Sequence, residues 1–496
     1  MTRQTMKRRL NKSISAKGRE SLPNILIAAA ECMPFSKTGG LADVAGTLPE
    51  HLINLGFDCR VITPFHKAAK DKYREQTEHV CDFYITLGWR KQFVGIEKIQ
   101  IGKVCYYLVD NEYYFGGKIY WGGESEGEQY AFFQRAIMEA LPKMGFIPDV
   151  LHCNDWHTAM LPMMIKTMAY DPALRNIKTL MTIHNLAYQG KFSFEYVQEL
   201  FGVDKKYYTP EFLESYDCAN YLKAGCVFAD WLSTVSPSYA DEICTLNYGE
   251  GLHGILSARR HELSGIINGI DTKLFNPARD KKIAANYSVK DISGKAICKQ
   301  DLLDRTVLDD DMEAPVFGMV TRITDQKGFD LIKAVMPGLI DLGAKFIILG
   351  TGNREYEDYL RWAESYWRGR VHSHIGYDEE LANIIYAGSD FLLMPSKFEP
   401  CGISQMIAMR YGTIPVVRET GGLRDTVPPY NKFTGEGLGF SFVWHTPQDL
   451  YDAICRANEL YHDKEALEAQ RLKCMSQDFG FEQSAYHYGE LYISLI

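Results

Sequence analysis

The sequence predicts an α/β fold built from two doubly wound domains, each a parallel sheet covered by helices. Short apolar runs of strand length alternate with helix-length amphipathic segments, once from residue 24 and again from residue 314. Glycine and charged residues follow several of these strands. In folds of this class, ligands bind beyond the carboxyl ends of the strands. We therefore expect the two domains to face each other across a deep cleft that holds the site.

The composition excludes several classes of function. The 496 residues include 54 basic and 63 acidic side chains, a net charge of −9, which offers no positive field for nucleic-acid binding. No apolar run approaches the ~20 residues that cross a bilayer, so we expect no membrane partner. Twelve cysteines without a Cys-x-x-Cys pair indicate reduced thiols. Because no apolar secretion signal is visible either, we expect a protein of the bacterial cytoplasm.

Residues 1–22 differ from the rest of the chain. They contain seven basic residues and one acidic residue, and we find no apolar periodicity in them. This composition predicts a disordered basic tail. A transit peptide would have a similar composition, and would place the protein in a plastid instead.

The first series of elements defines an N-terminal domain at residues 23–270. A buried strand at 24–30 precedes an amphipathic helix at 41–55, in which Pro49 predicts a kink or a restart. A strand at 60–63 follows, and alternating apolar residues then predict a strand-rich insertion. The rhythm resumes with a helix at 128–143 and strands at 150–153, 179–183 and 231–235.

A charged linker, 271–313, leads to a C-terminal domain at 314–478. Its predicted strands are 316–320, 345–349, 371–375, 391–394 and 414–417, with helices at 328–342, 354–365, 379–387 and 403–409. Residues 479–496 predict a further helix, since apolar Tyr488, Leu491 and Tyr492 recur at helical spacing. We expect this helix to return to the N-terminal domain and, with the linker, to form the hinge of a closing movement.

The loop after the first strand is Lys37-Thr38-Gly39-Gly40, and it opens a helix that contains Asp43. Paired glycines let the backbone approach a ligand, and the N–H groups of a helix start favour an anion such as a diphosphate. Lys37 adds a positive charge, although the glycines alone would also suit a plain tight turn. The loop is not a P-loop, because no Gly-Lys-Ser/Thr follows at the required spacing.

Loops of the second domain carry charge or paired glycines after their strands. Arg322 and Lys327 surround a helix start and suit a diphosphate leaving group, although solvated surface cations would look the same. Glu399 follows the strand at 391–394, where a carboxylate would face the cleft. Thr420-Gly421-Gly422 again favours an anion. Gly350-Thr351-Gly352 lacks the third glycine of a dinucleotide fingerprint, which makes nicotinamide binding a weak interpretation.

The sequence contains no recognisable metal-binding pattern. The 13 histidines include no His-Glu-x-x-His motif. His372 and His374 alternate along a predicted strand, so their rings point to opposite faces. The acidic run at 309–311 is most simply a solvated part of the linker. We expect cationic side chains and helix ends to neutralise phosphate charge, with no metal or other cofactor.

Seven blocks together resemble one known family. They are Lys37-Thr38-Gly39-Gly40-Leu41-Ala42-Asp43, His152-Cys153-Asn154-Asp155-Trp156-His157, Thr182-Ile183-His184-Asn185, Asn268-Gly269-Ile270-Asp271, the run 322–328, Glu399-Pro400-Cys401-Gly402 and Thr420-Gly421-Gly422-Leu423-Arg424-Asp425. From residue 24 to 496 the chain resembles the bacterial glycogen synthases and plant starch synthases, retaining glycosyltransferases of the GT-B fold. The resemblance implies transfer of glucose from ADP-glucose to the non-reducing end of an α-1,4-glucan, in glycogen biosynthesis.

The resemblance also implies roles for single residues around the donor. Lys37 corresponds to the family's lysine for the sugar nucleotide, and Arg322 and Lys327 to its diphosphate-binding pair. Glu399 corresponds to the carboxylate near the transferred glucose, and His184 to the histidine that holds this sugar. A second Glu, found eight positions later in many retaining enzymes of the superfamily, is Ile407 here. The glycogen and starch synthases lack it too, so its absence favours them.

The remaining implied roles concern the acceptor side and the turns. Asp43 corresponds to a polar contact near the acceptor, and Asn268 to an active-site residue near the linker. The turns at Gly39, Gly40, Thr420, Gly421 and Gly422 correspond to anion-binding turns. Cys401 corresponds to a family cysteine, for which packing and chemistry are equally open.

Two other interpretations remain. A retaining glycosyltransferase that uses a UDP-sugar or another acceptor would have similar phosphate-binding loops, since no base-reading loop can be identified. A non-catalytic glucan-binding scaffold would tolerate the loss of Lys37, Arg322, Lys327 and Glu399, yet all four are present.

Overall fold

The structure is a computed structural model that describes residues 1–496. The chain divides into two compact units: unit 1 comprises Met1–Gly269 and Phe481–Ile496, and unit 2 comprises Ile270–Gly480. The chain therefore passes between the units twice. None of its helices combines the length and the apolar character needed to span a bilayer.

Unit 1 is built around a nine-stranded sheet in the order β12-β11-β7-β6-β1-β2-β5-β4-β3. Adjacent strands of this sheet pair in parallel, except for the antiparallel pairs β3–β4 and β4–β5. The predicted strand-rich insertion is thus part of the main sheet, because β5 pairs in parallel with β2. A small sheet of β8, β10 and β9 lies apart from it. The strands are β1 Asn24–Ala28, β2 Asp58–Pro64, β3 Glu78–Leu87, β4 Arg90–Ile101, β5 Val104–Asp110, β6 Val150–Asn154, β7 Lys178–Ile183, β8 Lys191–Phe192, β9 Glu214–Ser215, β10 Cys218–Asn220, β11 Trp231–Thr234 and β12 Leu263–Gly265.

The helices of unit 1 cover this sheet. They are α1 Arg3–Ala16, α2 Gly40–Leu55, α3 Lys67–Tyr73, α4 Glu112–Phe115, α5 Gly123–Ala140, α6 Met160–Met168, α7 Pro172–Arg175, α8 Phe194–Phe201, α9 Tyr221–Phe228, α10 Pro237–Glu242 and α11 His253–Ala258. Helix α2 is continuous through Pro49, so the restart considered for that position does not occur. It ends at Gly56, whose φ of 113° allows the left-handed turn of a helix C-terminus.

Unit 2 contains a fully parallel six-stranded sheet in the order β15-β14-β13-β16-β17-β18. The strands are β13 Val316–Val320, β14 Lys345–Gly350, β15 Val371–Ile375, β16 Phe391–Met394, β17 Ile414–Arg418 and β18 Phe440–Phe442. The helices are α12 Gly294–Asp304, α13 Phe329–Asp341, α14 Arg354–Tyr366, α15 Glu379–Gly388, α16 Ser404–Arg410, α17 Gly421–Thr426, α18 Pro447–His462 and α19 Lys464–Met475.

The predicted linker at 271–313 is wrong as a separate connector, because these residues belong to unit 2. They include α12, whose Cys298, Leu302 and Leu303 are buried. The buried face of α12 also carries Lys295, which donates to the carbonyls of Ala387 and Tyr411 and to the hydroxyl of Thr413. Lysines on the inner face interrupt the apolar periodicity by which a helix is recognised in a sequence, so α12 was not predicted.

The predicted disordered tail is also wrong. Residues 3–16 form helix α1, whose Met6, Leu10 and Ile14 are no more than 2% exposed. They share the core of unit 1 with α2 and with the last helix, α20 (Phe481–Leu495). Their spacing of four residues is helical, but three apolar residues were inconspicuous among the basic ones. Helix α20 itself lies in unit 1, as the prediction of a returning helix required.

Candidate active site

The lysine loop, residues 37–40, connects the region after β1 to the first turn of α2. The Lys37 ammonium lies 2.7 Å from Oδ1 of Asp43, one turn into that helix. Gly39 precedes the helix in an extended conformation, and Gly40 is its first residue. Four predicted site residues therefore lie together at one helix start, because β1 and α2 are joined by a single short connection.

The amide groups of this loop are already engaged. Oε2 of Glu31 accepts hydrogen bonds from the Thr38 N–H, from the Thr38 hydroxyl at 2.8 Å and from the Gly39 N–H at 3.1 Å. The Gly39 amide, expected from sequence to be open to an anion, is directed to a protein carboxylate in this structure. Sequence analysis missed Glu31, because a glutamate after a buried strand has no distinguishing pattern.

His184 follows β7 and meets the end of the neighbouring strand β6. Its Nε2 lies 2.9 Å from Oδ1 of Asn154. The Asn154 amide nitrogen donates to the carbonyls of Ala28 and His152, which leaves Oδ1 as the acceptor for His184. Nε2 of His184 thus carries a proton and Nδ1 is an acceptor. Burial lowers the pKa of His184 to about 4, so the ring is neutral at neutral pH.

Asp155 holds the backbone of this histidine loop. Its Oδ1 accepts from the His184 N–H at 2.7 Å and from the Asn185 N–H at 3.5 Å. The residue has φ 55° and ψ −180°, a conformation that glycine normally occupies. Burial raises its pKa to about 7, against the lowering effect of the two N–H donors. Asp155 was predicted only as part of a block that resembles the family, since neither backbone strain nor burial can be read from residue types.

A pocket of about 320 Å³ opens beside these strand ends in unit 1. Its apolar wall includes Trp156 and Phe192, and Glu126 and Lys191 are among its polar lining residues. Gly190 has φ 64°, and a Cβ there would collide with the ring of Trp156, so only glycine allows the loop to lie on this ring. An aromatic wall with a polar rim suits a sugar, whose ring has apolar faces and polar edges.

Asn268, the last predicted site residue of unit 1, follows β12 and is 8% exposed. Its Oδ1 is buried and has no hydrogen-bond partner in the protein. A buried amide oxygen is normally paired, so an unpaired one is typical of a position that receives a ligand or water.

The predicted pair of unit 2 is in direct contact. The Lys327 ammonium lies 2.6 Å from Oε2 of Glu399, and their side chains are 15% and 7% exposed. The hydroxyl of Ser396 donates to the same oxygen at 3.0 Å. Arg322 lies exposed on the same loop as Lys327, directly after β13. The strands β13 and β16 are neighbours in the sheet, which brings the two loops together.

Glycines allow three loops of unit 2 to pack closely. Gly328 has φ 76°, and a Cβ there would collide with the carbonyl of Pro395. Gly421 has φ 45°, and a Cβ would meet the carbonyl of Glu399. The Gly422 N–H donates to the carbonyls of Glu399 and Pro400, each at 3.1 Å, so this amide is also engaged.

The other two predicted residues support this packing. Thr420 is buried and precedes α17, and Cys401 is 7% exposed, with its backbone against Gly422. The loops after β13, β16 and β17 thus lie together, since these strands are consecutive in the sheet. The structure contains no group of three or more His, Cys, Asp or Glu side chains arranged to hold a metal ion.

Comparison with known proteins identifies the family. Residues 24–258 match the family model described as the starch synthase catalytic domain, and residues 303–471 match that of the glycosyl transferases group 1. The glycogen synthase of Caldicellulosiruptor bescii is 44% identical over 477 residues, which cover 95% of this chain and 99% of that protein. The chain belongs to the glycogen synthase and starch synthase family.

Further relatives agree with this family assignment. The glycogen synthase of Bacillus cereus is 44% identical over 474 residues, 95% of this chain and all of that protein. The catalytic domain of starch synthase IV from Arabidopsis thaliana, solved with ADP and acarbose, has a TM-score of 0.88 and 31% identity, covering 96% and 100% of the two chains. Sucrose-phosphate synthase from Thermosynechococcus elongatus, with a TM-score of 0.60, 18% identity and coverage of 95% and 98%, is similar in fold alone. The fold is GT-B, as the sequence resemblance implied.

Proposed function

We propose that this glycogen synthase family member transfers glucose from ADP-glucose to the non-reducing end of an α-1,4-glucan, with retention at the anomeric carbon. The observation that carries the proposal is the buried contact between Lys327 and Glu399 at the carboxyl ends of two adjacent strands. A carboxylate and an ammonium held together provide both charges that transfer of a glucosyl group from a leaving diphosphate to the acceptor requires.

The cationic residues serve the leaving group in this proposal. Arg322 and Lys327 bind the diphosphate and stabilise the negative charge that develops on the departing ADP. Lys37 adds a third cation from the lysine loop. Glu399 lies near the transferred glucose, where its charge favours the positive character of the anomeric carbon in the transition state. The close packing at Gly421 and Gly422 supports a role in shaping the Glu399 loop. A contact between this turn and the donor is a further part of the proposal.

Two neutral side chains, His184 and Asn268, and the carboxylate of Asp43 serve the sugars in this proposal. His184 offers Nδ1 of its neutral ring as an acceptor for a sugar hydroxyl. Asn268 offers its unpaired Oδ1 in the same way. Asp43 is a polar contact on the acceptor side. The pocket beside Trp156 has an aromatic wall suited to glucose units of the acceptor chain.

We further propose that the reaction needs no metal, because cations of the protein itself neutralise the diphosphate. The proposed location is the bacterial cytoplasm, with glycogen as the acceptor. N-terminal sequencing of the protein from its native cell tests the transit-peptide alternative, which requires a mature chain that begins near Ser21.

One assay tests the donor and the reaction together. Purified protein is incubated with glycogen and either ADP-[14C]glucose or UDP-[14C]glucose, and label in precipitated glycogen is counted. We expect incorporation from ADP-glucose to exceed that from UDP-glucose. A preference for UDP-glucose would show that the proposed donor is wrong. No incorporation from either sugar nucleotide would favour a glucan-binding scaffold. Release of the label by β-amylase checks that the new linkage is α-1,4 at the non-reducing end.

A further inference from the structure

Glu31 is a buried carboxylate whose charge is compensated in an unusual way. Glu31 is only 3% exposed, and its carboxylate forms no ion pair. All three of its hydrogen-bond donors belong to Thr38 and Gly39, two adjacent residues of the lysine loop. A buried carboxylate is costly unless such donors surround it. The buried carboxylate of Glu31 is therefore stabilised only while the lysine loop keeps its present conformation.

The contacts are directional as well as numerous. Two backbone N–H groups and one hydroxyl converge on the single oxygen Oε2, which fixes the backbone between Thr38 and Gly39. A Cβ on Gly39 would lie 3.3 Å from Oε1 of Glu31, so the backbone lies directly against the carboxylate. Lys37 is the residue immediately before this fixed segment.

The negative charge of Glu31 also reaches the histidine loop. It contributes to the raised pKa of Asp155, the residue that holds the backbone of His184 and Asn185. Glu31 thus contacts one loop of the candidate site and acts electrostatically on a second. Glu31 belongs to neither loop and lies three residues after the end of β1.

We propose that Glu31 is a positioning residue for glucosyl transfer, which holds the lysine loop in the shape that presents the Lys37 ammonium to the sugar nucleotide. The inference rests on the proposed function, in that Lys37 contacts the donor. The loop then binds the donor through the Lys37 side chain, because the N–H groups of Thr38 and Gly39 are already bound to Glu31.

A double-mutant cycle tests this inference. The variants are Glu31→Gln, Lys37→Ala and the combination, with Glu75→Gln at an exposed site as the matched control. Gln keeps the volume of Glu31 but removes its charge, so its amide oxygen can accept only weaker, neutral hydrogen bonds from the three donors. For each variant we would measure kcat and KM for ADP-glucose at saturating glycogen, the KM for glycogen at saturating ADP-glucose, and the midpoint of thermal unfolding.

We expect Glu31→Gln to lower kcat/KM for ADP-glucose at least tenfold when Lys37 is present. In the Lys37→Ala background, we expect the same change to lower it less than twofold. The KM for glycogen should stay within twofold in all variants. Folded Glu31→Gln with unchanged kcat/KM would overturn the proposal. So would an equal loss in both backgrounds, because Glu31 would then act independently of Lys37.

Thr38→Val keeps the test valid if Glu31→Gln does not fold. This variant removes one donor to Glu31 and leaves both backbone donors in place. We expect a loss of about threefold in kcat/KM that disappears in the Lys37→Ala background, and no loss would overturn the proposal. Failure of the proposed function is distinguishable: Lys37→Ala alone would then leave the kinetics with ADP-glucose unchanged.

Discussion

The ammonium of Lys327 lies 2.6 Å from Oε2 of Glu399, and this oxygen also accepts a hydrogen bond from Ser396. The two charges arise from loops that are 72 residues apart in the chain. Their contact places a cation for a diphosphate and a carboxylate for a sugar side by side. Each side chain therefore sets the environment of the other.

Removal of the cations should affect turnover much more than glucan binding. We expect Lys327→Ala and Arg322→Ala each to lower kcat by ~10²–10³, since the loss of a charge-assisted donor to developing negative charge costs ~2.7–4 kcal/mol. Lys333→Ala, at an exposed lysine of α13, is the matched control. Steady-state kinetics at saturating ADP-glucose and a glycogen-binding assay measure the two effects. Near-normal turnover in both variants would contradict these assignments.

The close packing at Gly328 should be sensitive to a single methyl group. Gly328 and Gly343 have nearly the same φ, 76° and 77°, but only at Gly328 would a Cβ collide with another residue, Pro395. We expect Gly343→Ala to cost about 1 kcal/mol of unfolding free energy, from backbone strain alone. Gly328→Ala should cost clearly more and also lower kcat, because Pro395 begins the loop that carries Glu399. Urea unfolding and activity assays compare the pair, and equal effects would argue against the collision.

The pH dependence of stability should reveal Asp155. Its pKa is raised to about 7 in the folded protein, from an ordinary value of 3.8, so the folded state binds the extra proton between these values. Stability from this group is therefore complete below pH ~4 and is lost as the pH rises toward 7. Asp155→Asn cannot ionise and escapes that loss.

The comparison between wild type and Asp155→Asn isolates this group. The stability of the variant relative to wild type should rise between pH 4 and 7, by up to about 1.4 kcal/mol per pH unit. The titration of His184 is common to both proteins and cancels in the difference. Urea unfolding at a series of pH values measures it. Parallel stability curves would contradict the raised pKa.

Chelation should leave the activity intact. The cations of the site are side chains, so exhaustive treatment with EDTA followed by desalting should change the rate with ADP-glucose less than twofold. Metal analysis of the treated protein provides the control. Strict loss of activity that Mg²⁺ or Mn²⁺ restores would contradict the proposed metal-free transfer.

Helix α1 should contribute measurably to the stability of unit 1. Leu10 is fully buried, and a Cβ on Gly489 of α20 would lie 3.3 Å from it. We expect Leu10→Ala to cost ~2–5 kcal/mol, as a large-to-small change in a packed core does. Lys12→Ala, on the exposed face of the same helix, should change stability by less than about 0.5 kcal/mol. An equal, small effect of both changes, measured by thermal unfolding, would show that α1 is not anchored.

Much of the sheet architecture was predictable from local patterns. The strands β13, β15 and β16 begin and end where the apolar runs predicted. Strands in parallel sheets are covered on both sides, so their sequences are continuous apolar runs that are easy to recognise. Helices α1 and α12 were not predicted, because the inner face of α1 is narrow and that of α12 carries lysines. Both features weaken the apolar periodicity of a helix.

The sequence by itself determined the family, the two doubly wound units and the loops that carry charge, because residue types and spacing encode them locally. The tertiary structure decided the chemical state of these loops. It engaged the Gly39 amide with Glu31, joined Lys327 to Glu399, and made His184 neutral through burial. Hydrogen-bond partners and desolvation depend on distances between residues far apart in the chain, and these distances exist only once the sheets have formed.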